Sequence, residues 1–227
     1  MDILYERIVL IVLILVLIIV SWCIYDNYYV YSHTITDDIK KYKPGQSSVA
    51  PEDSPLSDDM AAWITIDGTS IDYPVMQAKD NVKYLNTDPF GKYSLSGSIF
   101  LDCRNSPDFS DDYSLIYGHH MEYGKMFGAL DKFLNESYLS KHTSGSLIIG
   151  KNAEKIYDLK VFAGMRVSAK DEEVFDLNKG DIRQFIKEKC KVSTEYSENR
   201  IIALSTCAES DSVSRTVVFC YIINQKQ

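Results

Sequence analysis

The sequence predicts a mainly β fold, a closed β-barrel of about eight strands with two or three peripheral helices, preceded by an N-terminal transmembrane helix. Three observations predict it. Short runs rich in β-branched and aromatic residues recur from Trp63 to the C-terminus, broken by turn residues. Few stretches beyond residue 56 carry apolar side chains at helical spacing. Residues 8–25 are apolar except for Ser21, a run long enough to cross a bilayer.

As a helix rising about 1.5 Å per residue, 8–25 spans roughly 27 Å, close to the hydrocarbon thickness of a membrane. Trp22, Tyr25, Tyr28 and Tyr29 then form an interfacial aromatic belt. Ser21-Trp22-Cys23-Ile24 offers no small-x-small cleavage site, so the run reads as an uncleaved anchor rather than a signal peptide. Charge does not orient it: Arg7 stands nearly alone before the helix, and Lys40, Lys41 and Lys43 are the first cations after it. Residues 26–56 end in a Pro-, Gly- and Ser-rich run and read as a linker, leaving 57–227 as the folded domain.

Within that domain, 57–63 reads as a short helix capped by Ser57, with acidic residues in its first turn. Strands are expected at 63–66 and 70–76, joined through an Asp67-Gly68 turn. Further strands are expected at 97–101, 114–117, 146–149, 155–162, 200–206 and 215–223. Residues 126–134 and 179–190 read as amphipathic helices.

The composition, 45% hydrophobic with 12% aromatic, fits a globular domain, and the net charge of −8 argues against a phosphate-tracking nucleic-acid surface. Five cysteines with no CxxC pair suggest neither a disulfide framework nor a zinc knuckle. Adjacent His119 and His120 with no further His, Asp or Glu cluster make a poor metal site. Cys103, Cys190 and Cys220 read as small buried hydrophobes, and His33 and His142 as structural or idle.

The chemistry is expected where strands end. Cys207 follows the strand 200–206 directly, and Arg215 opens the next one after a polar loop. An antiparallel hairpin of the two brings Cys207 and Arg215 to one rim. The strand 114–117 ends in Gly118-His119-His120, so a parallel neighbour there adds an imidazole to a thiol and a guanidinium. These suffice for acyl transfer: a nucleophile, a proton shuttle and a fixed cation for the oxyanion. The spacing leaves open which histidine serves.

Leu204-Ser205-Thr206-Cys207 with Arg215 resembles the active-site signature of the sortase family, Ala203 standing where a Thr is usual. Tyr117-Gly118-His119-His120-Met121 and the following Met126 to Leu130 resemble the class B branch, as do segments around 63–77, 80–85 and 97–102. The resemblance implies a cysteine transpeptidase with His119, Cys207 and Arg215 as catalytic residues and no metal or organic cofactor. It implies Asn81, Leu85, Ser205, Thr206 and Glu209 as substrate contacts. The expected reaction cleaves a C-terminal LPxTG- or NPxTN-like sorting motif after Thr through a thioacyl-enzyme. The acyl group then passes to an amine of peptidoglycan or, in polymerising members, of a pilin. The partners are thus sorting-motif proteins, a cell-wall amine, and membrane lipid around the helix. Segment 168–175 resembles the loop covering the groove. The resemblance also sets the topology, with residues 1–7 cytoplasmic and the catalytic domain outside the cell membrane. Two other functions share the residues: a thiol peptidase passing the acyl group to water, and a non-catalytic membrane-tethered binding module.

Overall fold

The computed structural model describes residues 3–32, 37–46, 49–178, 181–194, 197–207 and 213–226. They form two compact units, 1–36 and 37–227. The first is the helix α1 (Ile3–Ser32), which extends past both ends of the expected span. Its stretch Ile3–Asp26 is long and apolar enough to cross a membrane, and none of it is buried in protein.

The second unit is built on β1 (Met60–Ile66), β2 (Asp72–Met76), β3 (Ile99–Leu101) and β4 (Tyr113–Gly118). The short helix α2 (Glu136–Leu139) precedes β5 (Ser144–Ile149) and β6 (Lys155–Ser168). The helices α3 (Glu172–Phe175) and α4 (Ile182–Lys189) lead to β7 (Val192–Ser193), β8 (Ile201–Thr206) and β9 (Ser214–Lys226). The strand order β5-β1-β2-β3-β4-β8-β9-β6 returns to β5 through a further β5–β6 pairing, which closes an eight-stranded barrel and leaves β7 as an appendage on β6. Closure removes the exposed edges that an open sheet would present. Among the described residues, only β2–β3 and β4–β8 pair in parallel.

Trp63, Ile64, Val161, Phe162, Phe219 and Cys220 are among the fully enclosed side chains. Cys220 thus sits in the core as expected, pairing across to Ile202 on β8.

Three expectations are corrected. Residues 57–63 do not form a helix: only a turn at Ser57 precedes β1, whose side chains from Met60 to Ile64 are all buried between β2 and β5. A run enclosed on both faces favours the strand over a single helical turn. Residues 126–134 wind as a 3₁₀ helix from Phe127 to Leu134, and the buried Phe127, Leu130 and Phe133 fall at its period of three. The compact unit begins at Asp37, inside the expected linker 26–56. There Ile39 and Lys43 are buried, and Lys43 Nζ donates to Thr65 Oγ1 at 2.7 Å and to Asp72 Oδ1 at 2.9 Å. The indole of Trp63 donates to the same carboxylate oxygen at 2.7 Å. Burial raises the Asp72 pKa, but the bonds from Lys43, Trp63 and Thr65 outweigh it and hold the carboxyl below its ordinary value.

Candidate active site

Register alone brings the three expected catalytic residues into one row. In the parallel β4–β8 pair Gly118 faces Thr206, so His119 and Cys207 are the next residues on adjacent strands. The Cys207 N–H donates to the Gly118 carbonyl at 2.7 Å, which carries the ladder one step past the last paired residues. In the antiparallel β8–β9 pair Ser205 faces Val217, and two further steps set Cys207 opposite Arg215. His119, Cys207 and Arg215 thus occupy one level across β4, β8 and β9.

Side-chain alternation separates the two histidines. On one face, Asn81, Leu85, Phe100, Tyr117, Cys207 and Arg215 line a cavity of about 230 Å³. His119 reaches its wall, since its Nε2 bonds the Leu85 carbonyl at 2.7 Å. A carbonyl only accepts, so Nε2 carries the hydrogen and Nδ1 is left for proton exchange. His120 belongs to the opposite face. It lines a second cavity of about 210 Å³ with Asp131, Arg166, Thr206, Ser214 and Thr216, and Cys207 borders this one too. There its Nε2 bonds Asp131 Oδ2 at 3.0 Å, while Thr216 donates to the other carboxylate oxygen.

Gly118 is required by crowding rather than by a turn: a Cβ there would stand 2.3 Å from Ile99 Cδ1 and 2.8 Å from the Phe127 ring. That close packing holds the loop following β4, where the Phe127 N–H bonds the His119 carbonyl at 3.0 Å.

Cys207 is buried, with 9% of its surface exposed, and opens onto both cavities. Burial pushes its thiol up to about 12, although the Arg215 charge pulls the other way. At neutral pH the Cys207 sulfur is therefore held as a neutral thiol. Arg215 lies under two rings, its Cζ 4.7 Å from the Phe175 centroid and 6.0 Å from that of Tyr117. Its Nε is buried with no hydrogen-bond partner among the described residues. A buried, unpaired, permanently charged donor beside a thiol is suited to an incoming anion.

Of the expected substrate contacts, Asn81 and Leu85 line the cavity beside Cys207. Ser205 is fully buried, its hydroxyl donating to the Thr206 carbonyl at 3.1 Å. Thr206 borders the other cavity, and its Oγ1 accepts from the Thr216 N–H. Glu209 lies outside the described residues. Phe100, Tyr117 and Phe175 were not singled out as site residues in the sequence; Tyr117 adjoins the Gly118-His119 motif, and that proximity was the available signal. Among the described residues no group of three or more His, Cys, Asp or Glu is placed to hold a metal ion.

A family model described as Sortase domain matches residues 64–223. Sortase B of Staphylococcus aureus (strain NCTC 8325 / PS 47) is 35% identical over 179 residues, which make up 74% of this chain and 72% of that protein. Among solved structures, a Streptococcus pyogenes class B sortase involved in pilus biogenesis is similar with a TM-score of 0.68 and 38% identity. The match covers 75% of this chain and 94% of that one. A Staphylococcus aureus sortase B-substrate complex is similar with a TM-score of 0.65 and 31% identity, covering 74% and 82%.

Proposed function

We propose a mechanism from one premise, that this chain belongs to the sortase family and to its class B branch. It is a cysteine transpeptidase of the cell envelope that cleaves a C-terminal sorting motif and attaches the cleaved protein to the cell wall. Cys207 attacks the carbonyl of the motif's Thr, and its thiol proton passes to Nδ1 of His119 as the S–C bond forms. Because burial pushes the thiol up to about 12, attack and proton transfer are coupled rather than preceded by a stable thiolate. The oxyanion of the tetrahedral intermediate takes the free donors of Arg215. The C–N bond then breaks, with the proton on His119 going to the departing amine, and a thioester on Cys207 remains. An acceptor amine attacks the thioester, gives its proton to His119, and the thiol is restored.

The row of His119, Cys207 and Arg215 across three adjacent strands, with the Arg215 Nε left unpaired, carries this reading. In the proposed topology α1 crosses the membrane once, as an anchor surrounded by lipid, with residues 1–7 cytoplasmic and the barrel outside. The substrates carry an LPxTG- or NPxTN-like motif, with Asn81 and Leu85 lining its groove. A pilin rather than peptidoglycan as acceptor is a second reading, favoured by the similarity to the Streptococcus pyogenes sortase of pilus biogenesis.

The test mixes the full-length chain in detergent with motif peptides, with and without an amine, and resolves products by mass spectrometry. An amine-linked product cut after Thr, absent with Cys207→Ala, is expected. Hydrolysis unaffected by the amine would make the chain a thiol peptidase. Binding without cleavage, unchanged by Cys207→Ala, would make it a binding module.

A further inference from the structure

Both aromatic rings that flank the Arg215 guanidinium are tied to one carboxylate. Asp102 follows β3 and its side chain is fully shut from solvent. Its Oδ2 accepts from the Tyr117 hydroxyl at 3.1 Å and from Asn81 Nδ2 at 2.9 Å. Arg104 grips both oxygens, Nε on Oδ1 and Nη2 on Oδ2, each at 2.8 Å. The same Nη2 donates to the Phe175 carbonyl at 2.8 Å, at the end of α3. The Tyr113 hydroxyl donates to the adjoining Val174 carbonyl at 3.0 Å, which fixes the short helix at a second point. Burial raises the Asp102 pKa, but the fork and backbone N–H of Arg104, helped by Tyr117, outweigh it and keep the carboxyl ionised.

No carboxylate pairs with Arg215 among the described residues. This matters chemically. A carboxylate partner would occupy the N–H edge that an oxyanion needs and would cancel the charge. An aromatic face holds a guanidinium by its plane and leaves the edge free. The rings must then be held in place, and both are held from Asp102, one directly and one through Arg104. We propose that Asp102 and Arg104 are positioning residues that set the Tyr117 and Phe175 rings and so aim the unpaired edge of Arg215 at the reacting carbonyl.

This inference rests on the transpeptidase reading, and the test keeps the two apart. Turnover of an LPxTG- or NPxTN-type peptide with glycylglycine as acceptor is measured on the full-length chain in detergent, with rates normalised to the folded fraction read from circular dichroism. Phe175→Leu, which keeps bulk but removes the π face, is expected to lower kcat about tenfold with KM within about twofold. Phe175→Tyr, which keeps the ring, recovers most of that loss. Arg104→Lys, which keeps charge but not the fork, lowers kcat about fivefold. In an Arg215→Lys background each of these substitutions costs less than about twofold, because the group they act through is gone. Should Arg104→Lys fail to fold, Tyr117→Phe, which deletes only one hydroxyl, serves in the same cycle with a loss of about threefold. Full losses repeated in the Arg215→Lys background overturn the inference, as does a raised KM with kcat intact, which would make Phe175 a wall of the groove. A wild-type chain inert toward every peptide overturns the transpeptidase reading and this inference with it. An active wild type with additive losses overturns this inference alone.

Discussion

The protonation of Cys207 yields a prediction with a worked magnitude. Burial of the sulfur pushes its pKa to about 12, against about 8.5 for an exposed cysteine. At pH 7.5 that difference of about 3.5 leaves roughly 3,000-fold less thiolate than in an exposed peptide thiol. A more basic thiolate is also a better nucleophile, and with a Brønsted slope of about 0.45 the gain is roughly 40-fold. The net expectation is alkylation about 100-fold slower than that of an exposed thiol. The assay follows iodoacetamide modification of the full-length chain by peptide mass spectrometry, which separates Cys207 from Cys23 and Cys103. Limited access to the sulfur lowers the rate at every pH alike, so the pH slope is the clean readout. The rate should rise about tenfold per pH unit from 7 to 10 without levelling. A plateau beginning below pH 8 would mean a preformed thiolate paired with an imidazolium, and the coupled proton transfer derived above would be wrong. Replacing Arg215 by Met removes the one charge that lowers the thiol pKa, so alkylation at fixed pH should slow further.

Four other outcomes are expected. Arg215→Ala should lower kcat by at least about 100-fold, and Arg215→Lys should not restore it, because a point charge does not replace the planar donor edge. His119→Ala should abolish turnover, whereas His120→Ala removes a partly exposed hydrogen bond to Asp131, keeps most activity and costs at most about 1 kcal/mol in denaturant unfolding. Gly128→Ala places a Cβ 1.9 Å from the Met121 carbonyl oxygen, with backbone rather than a movable side chain in the way. It should destabilise the domain by about 2 kcal/mol or more, read from the urea midpoint. Asp72 and Asp102 both have folded pKa values below the ordinary 3.8, so their contribution to stability is full above that value and is lost as pH falls beneath it. The urea midpoint should hold from pH 7 to 5 and drop below about 4, a drop that Lys43→Met makes smaller.

What the sequence disclosed of the site was local. Cys207 and Arg215 are separated only by a hairpin loop, and a short connection between two strands has few alternatives to antiparallel pairing. The parallel neighbour bearing His119 was legible as a strand ending in a histidine pair, but choosing between the two needed either the family resemblance or the side-chain parity that the paired strands define. The supports of Arg215 were not legible. Phe175 and Arg104 lie far apart in the chain, and they meet through a backbone carbonyl, which leaves no trace in residue type. Lys43 was misplaced for a similar reason. A lysine beside Pro and Gly reads as a solvated linker until the half-buried carboxylate of Asp72 appears beside it. Residues 57–63 show the limit of capping signals, since Ser57 and its acidic followers suit a helix start while the buried run beyond them claims the backbone for the barrel.

The central claim is that one sulfur carries the acyl group between two amines. Its most direct measurement is the intact mass of the full-length chain mixed with a motif peptide in the absence of any amine, followed by amine addition. A mass gain equal to the peptide fragment ending in Thr less one water, mapped to Cys207 and discharged on the amine as a new amide, is the predicted result. Cleavage that persists in Cys207→Ala, or an acyl group found on any other residue, would contradict the account.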